Sequence, residues 1–184
     1  AGCGWATGLV FWFSALALGG YVALLAPQVR NEGLIVAQQG TVVMAGAEAV
    51  TLNFDPSSKL ASITVSPSLI ATLVENKTAV QAPDGLIILS ATAMDALTGQ
   101  IINSGQLNAS SLTRQGGRIL LQSGKVQLTA TSVLSAQGVT QGGEVQIQAQ
   151  RIENAGVIDV SSTQGAGGKI VMQAISVSAF TRPG

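Results

Sequence analysis

Four aspartates are the first residues of this 184-residue chain whose chemistry could be catalytic: Asp55, Asp84, Asp95 and Asp159. Clustered carboxylates bind calcium or act as acid and base on a glycosidic bond, and either task needs at least two side by side. None of the four is adjacent to another, and none sits in an Asp-Asp or Asn-Thr-Asp cluster. Stacked repeats could bring two together, which keeps a β-helical polysaccharide lyase or hydrolase as a third reading. Each Asp reads first as a turn residue, its carboxylate bonding nearby backbone amides. Arg30, Arg114, Arg118 and Arg151 read as solvated positions rather than an anion site. Gly165-Ala166-Gly167-Gly168 has the composition of a phosphate loop, but no helical pattern follows it to supply N-terminal amides. The chain has no His and one Cys, Cys3. That removes Ser-His-Asp and Cys-His catalysis, a structural zinc site and any internal disulfide. The residues therefore point to a non-enzyme with no catalytic residue, no metal site and no cofactor.

Composition narrows the partners. Lys plus Arg number 9 and Asp plus Glu number 9, so the formal charge is zero. Only 10% of residues are charged, against roughly 25% in an average soluble domain. Gln, Ser, Thr and Asn supply the missing polarity. Without a basic face, nucleic acid is not an expected partner. Val, Ile and Leu are too numerous for a disordered chain.

The elements that position these residues come from a repeat. Asn31-Glu32-Gly33 opens a phrase that returns as Asn103-Ser104-Gly105 and Asn154-Ala155-Gly156, each time with an apolar residue two positions after the Gly. Such a phrase is a unit of architecture, and its Asn side chains read as corner residues that bond their own turn or a polar group one coil away. Asn76-Lys77-Thr78 lacks the Gly, so a different turn is expected there. Gly pairs or single Gly residues recur at Gly20, Gly40, Gly85, Gly117, Gly143 and Gly168. They mark corners where the backbone turns tightly or takes positive φ. The last two intervals are 26 and 25 residues, and the first is 20. From Gly40 to Gly85 there are 45 residues, room for two coils or for one coil with an excursion.

Between corners the apolar period is two, as at Val22 and Leu24, Val126 and Leu128, Val145 and Ile147, and Ile170 and Met172. Val, Ile and Thr enrichment agrees with extended chain. The nearest thing to helix is one short turn within Ser66–Glu75. Strands with Gly corners and a repeat of this length predict a right-handed parallel β-helix, two or three short strands per coil. About seven coils stacked at roughly 4.8 Å would make the rod. Ile35, Leu107 and Ile158 should stack on one inner wall, and Val22, Ile87, Ile119, Val145 and Ile170 on another. Ile158→Asp is then expected to cost roughly 3 kcal/mol or more. Asp95–Gly99 reads as an insertion. Residues 51–65 read as an extra-helical β-hairpin turning at Pro56-Ser57-Ser58. Residues 1–13 form an unassigned apolar segment, and 14–184 the β-helix domain. The uncharged run from Trp5 to Pro27 has the length of a membrane helix or signal core, but Gly19-Gly20 and the alternation after it fit a repeat turn.

The run Gly20–Gly33, together with Gly46-Ala47-Glu48-Ala49-Val50-Thr51-Leu52-Asn53-Phe54 and its continuation to Val74-Glu75-Asn76, resembles the filamentous-haemagglutinin family of two-partner-secretion exoproteins. The resemblance covers about residues 14 to 178. It implies a right-handed parallel β-helix, secretion to the surface of a Gram-negative bacterium, and export by a dedicated outer-membrane β-barrel transporter. It also implies a role in adhesion or haemagglutination, with host-cell glycans or proteins as targets. The alternative within the family is the export module or shaft of a contact-dependent inhibition toxin or cytolysin. The family's secretion domain opens with a signal peptide and an Asn-Pro-Asn-Gly-type motif. Neither stands in this sequence, so a piece of a longer chain is expected. A solenoid end without a cap should also associate end to end.

Overall fold

The computed structural model describes residues 8–11 and 14–174. They wind through six coils, against the seven expected for the whole chain. Coil 1 holds β1 (Gly8–Phe11), β2 (Ala15–Leu16) and β3 (Tyr21–Leu25). Coil 2 holds β4 (Gln28–Asn31), β5 (Leu34–Val36) and β6 (Thr41–Gly46), and then departs into a hairpin of β7 (Ala49–Phe54) and β8 (Leu60–Ser66). Coil 3 is β9 (Thr72–Asn76), β10 (Ala79–Gln81) and β11 (Leu86–Ala91). Coil 4 is β12 (Gly99–Asn103), β13 (Gln106–Asn108) and β14 (Arg118–Ser123). Coil 5 is β15 (Lys125–Leu128), β16 (Val133–Ser135) and β17 (Glu144–Ala149). Coil 6 is β18 (Arg151–Asn154), β19 (Val157–Asp159) and β20 (Lys169–Ala174). The first, second and third strands of the coils pair in parallel into three six-stranded sheets, here A, B and C. The chain is a parallel β-helix.

Register makes the core. In sheet B, Ala15, Ile35, Val80, Leu107, Leu134 and Ile158 lie in one line. In sheet C the line is Val22, Val42, Ile87, Ile119, Val145 and Ile170. Sheet A supplies Val29, Val74, Ile101, Val126 and Ile152. Both walls read from the sequence are therefore present, and the interior rungs are fully buried. Ile158 packs on the core but is only half-buried, so Leu107 or Leu134 are the stronger sites for a charge to disrupt.

The hairpin does not stand away from the rod. It lies along the outer face of sheet C, where Val50, Leu52, Leu60 and Ile63 cover Val43, Ala45, Leu86 and Ile88. Strands β6 and β11 are consequently buried on both faces. Their sequences, Val-Val-Met-Ala and Leu-Ile-Ile-Leu, are unbroken apolar runs for the same reason.

Several expectations change. The helical turn within Ser66–Glu75 is absent: β8 runs to Ser66, Ser68 bridges to Ala93, and β9 begins at Thr72. Pro67 lacks the amide that a continuing strand would need. The excursion near Asp95 is real and contains a 3₁₀ turn, Ala96–Thr98. The coil has a second excursion, between β13 and β14, that the sequence reading did not separate. The apolar N-terminal run is not a membrane helix over its described residues, because β1, β2 and β3 all pair with coil 2. The first coil thus reaches back to Gly8, inside the segment left unassigned. No helix among the described residues is long and apolar enough to cross a membrane. Trp12, Phe13 and the stretch Ser178–Gly184 fall outside the described residues.

Candidate functional site

The Asn corner is a ladder, but not of the three residues named by the repeat. Asn31, Asn76 and Asn103 occupy one line of sheet A. Asn31 Nδ2 donates to Asn76 Oδ1 at 2.9 Å, and Asn76 Nδ2 donates to Asn103 Oδ1 at 2.7 Å. All three are fully buried. Asn76 therefore belongs to the set although its phrase lacks the Gly; Thr78 stands there, and its hydroxyl donates to the carbonyl of Gly33 one coil back. In coil 5 the line is taken by Leu128, and Asn103 Nδ2 donates instead to Ser132 Oγ at 2.6 Å. Asn154 is exposed, and among the described residues its side chain serves its own turn, Oδ1 accepting from Gly156 N at 3.0 Å. The three buried amides are committed to holding the rod.

The aspartates hold turns. Asp55 Oδ1 accepts from the backbone amides of Ser57 and Lys59, at 2.8 and 3.0 Å. Asp95 caps the 3₁₀ turn by accepting from Leu97 N at 3.1 Å. Asp159 Oδ1 accepts from Ser161 N at 2.9 Å, and these bonds, with Gln137 beside them, hold its carboxyl below the usual range. Asp84 supplies a left-handed turn residue at φ 58°. Among the described residues, no three His, Cys, Asp or Glu side chains gather to hold a metal ion. Gly165–Gly168 is a loop between β19 and β20, with strand rather than helix after it.

On the outside of sheet A, charges pair across coils. Arg30 meets Glu75 at 3.4 Å, Lys77 meets Glu32 at 2.7 Å, and Lys125 meets Glu153 at 3.5 Å. The hydrogen bond from Lys77 to Glu32, with Glu75 nearby, raises the Lys77 pKa. Arg30, read as solvated, is a partly exposed member of such a pair, whereas Arg151 is exposed and pairs within its own strand, with Glu153 at 2.7 Å. A different surface lies at the corner between sheets C and A. There the Ser68 and Ala93 excursions stack, leaving Leu69, Ile70, Met94 and Leu97 open to solvent.

The corner between sheets B and C carries a shaped surface of its own. Gly20, Gly40, Gly85, Gly117, Gly143 and Gly168 stack in one column. A Cβ on any of the last five would overlap the carbonyl oxygen of the Gly one coil before. Close approach of backbone, rather than positive φ, is what excludes a side chain there. The left-handed turns fall one residue earlier, on Gln39 at φ 55° and on Asp84. The hairpin tip overhangs this column and encloses a groove of about 410 Å³. Asp55 and Lys59 line it from the tip, Gln39 and Asp84 from the short corners, and Gln115 and Arg118 from coil 4. Tyr21 and Phe54 flank two of its lining residues, Gly20 and Asp55, and meet edge to face with centroids 5.5 Å apart. The residue order of 51–65 indicates the hairpin but not the groove beside it. The available signal was the polar residues adjoining each corner Gly: Gln39-Gly40, Asp84-Gly85 and Gly117-Arg118.

The outward face of the hairpin is uncharged and rich in hydroxyls. Asn53 Nδ2 donates across it to Thr64 Oγ1 at 3.0 Å, with Ser62 beside them. Compared with known proteins, the chain matches no family model and no curated protein.

Proposed function

We propose that this chain is a non-enzymatic surface rod of a filamentous-haemagglutinin-like exoprotein, acting in adhesion or haemagglutination. In this reading an outer-membrane β-barrel transporter exports it to the surface of a Gram-negative cell. One observation carries the proposal. Asp55, Asp95 and Asp159 hold turns through their carboxylates and Asn31, Asn76 and Asn103 form a ladder, while the hairpin face and the groove beside it stay open to solvent. The resemblance of Gly20–Gly33 and of Gly46–Asn76 to that family supports the same reading.

The test is a bead assay. Beads coated with the purified chain should agglutinate erythrocytes or adhere to epithelial cells, and soluble chain should compete. Beads that bind no cell would overturn the adhesive reading in favour of a toxin shaft or export module. Unsaturated or reducing ends released from pectin-type polysaccharides would overturn the non-enzymatic one.

A further inference from the structure

The groove under the hairpin tip has a chemistry that its fold does not call for. Its floor is the glycine column, whose carbonyls already accept from the amides of Thr41, Leu86, Arg118 and Glu144 in the next coils. That floor needs no charged neighbours, yet Asp55, Lys59, Asp84 and Arg118 all line it. Among the described residues none of these four is in an ion pair, in contrast to the paired charges outside sheet A and at Glu144 and Lys169 of sheet C. Asp55 uses Oδ1 for its turn, leaving Oδ2 to accept from elsewhere. Two anions and two cations cancel, and Gln39 and Gln115 add amides that both donate and accept. An anionic ligand would need an excess of cations. A neutral ligand dense in hydroxyl groups needs this even mixture of donors and acceptors.

Register gives the groove a direction. Tyr21, Thr41, Leu86 and Arg118 form one outward row across four successive coils. Its ends are three coil spacings apart, about 14 Å. Thr41 Oγ1 donates to the Leu60 carbonyl at 2.7 Å, fixing the hairpin over the middle of the row. At one end Tyr21 and Phe54 keep 45% and 47% of their surface exposed. Half-exposed rings offer an apolar face to the C–H face of a sugar ring. At the other end stands the Arg118 guanidinium. The backbone is also strained here: Gln39 and Asp84 line the groove, and Ser58, at φ 60°, lies in the tip between Asp55 and Lys59. Such strain concentrates at ligand sites.

We propose that this groove binds a short neutral oligosaccharide lying along the rod axis. One ring stacks on Tyr21 and Phe54. Arg118 and Gln115 donate to hydroxyls at the far end, and Asp55 and Asp84 accept from hydroxyls between. This rests on the adhesive reading above and gives it a ligand class and a site.

Maltotetraose, cellotetraose and lacto-N-neotetraose are the probes, with a sialylated tetrasaccharide as the acidic counterpart. Binding is read by saturation-transfer NMR and titration calorimetry. At least one neutral probe should bind. Tyr21→Ala and Arg118→Gln should each weaken it on the order of tenfold or more, with the melting temperature unchanged for Arg118→Gln and only slightly lowered for Tyr21→Ala, which loses the Phe54 contact. Lys125→Gln, on sheet A, should leave it as it was. Failure of all three neutral probes, preference for the acidic one, or indifference to Tyr21→Ala and Arg118→Gln overturns the proposal. The same variants in the bead assay separate the two readings. Undiminished cell binding by both would remove the groove and leave adhesion standing, whereas sugar binding without cell binding would do the reverse.

Discussion

Strands β6 and β11 are buried on both faces, whereas β17, two coils beyond β11, alternates between buried and half-buried residues. The inner rows of these strands are alike: Val42 and Met44, Ile87 and Leu89, Val145 and Ile147. The outer rows differ. Val43 and Ile88 give way to Leu120 and then Gln146, because the hairpin covers the first coils and not the fifth. The Asn ladder divides at nearly the same place. It is continuous through Asn31, Asn76 and Asn103, then stops at Leu128, where the corner is longer and Ser132 completes the last bond. The corner between sheets B and C changes too. It is short before β6 and β11 and longer before β14, β17 and β20, where the loops bridge one another through Gln115, Gln141 and Ala166. One interior pattern thus carries two exteriors, and each exterior is set by what covers it.

The sharpest way to break this comparison is a charge in the outer row. Ile88→Asp, under the hairpin, should cost about 4 kcal/mol, while Gln146→Ser in the same row should stay within about 0.5 kcal/mol. Equal losses in urea unfolding would mean that the hairpin does not seal sheet C. The glycine column is what the two halves share, so Gly85→Ala and Gly143→Ala should cost alike, about 3 kcal/mol each. Loss at only one of the two would show that the column is relaxed in the other half. Next is the ladder. Asn76→Ala strands the Asn31 amide and the Asn103 oxygen, for about 2 kcal/mol, against less than about 1 kcal/mol for Asn154→Ala. Comparable melting curves for the two would put Asn154 on the same footing as the buried three. The smallest effect is at Asp159. Its folded pKa lies below the ordinary 3.8, so its stabilisation is present above that value and is lost as pH falls through the folded pKa. The group is partly exposed, so the contribution is small. Asp159→Asn should therefore melt slightly below wild type at neutral pH, with the gap closing under about pH 4. A gap that widens on acidification would contradict the assignment.

Much of this was legible in residue order. Period two exposed the strands, the Asn and Gly phrase exposed the coil, and Pro56-Ser57-Ser58 exposed the hairpin. Less accessible were features that depend on what lies one coil away. Asn76 looked like a departure because its own Gly is missing, but its place in the ladder is decided by Asn31 and Asn103 beside it. Asn154 matched the phrase and yet lies outside the ladder, since Leu128 intervenes. Corner glycines read as tight turns or positive-φ sites, and the carbonyls stacked beneath them are what excludes a side chain. Leu69 and Ile70 suggested a helical turn, and both are exposed in a loop instead. The groove was hidden for the same reason: Tyr21, Asp55, Asp84 and Arg118 come from four separate parts of the chain.

The hairpin has one further consequence, a mechanical one. A tethered rod loaded by flow is peeled from its ends, and each coil that lets go releases its own length of chain. From Gly117 to Gly143 that is 26 residues, about 90 Å when drawn out. From Gly40 to Gly85 it is 45 residues, about 150 Å. The hairpin coil is therefore a longer slack line than its neighbours, and in a force-extension trace it should give way as a single oversized step.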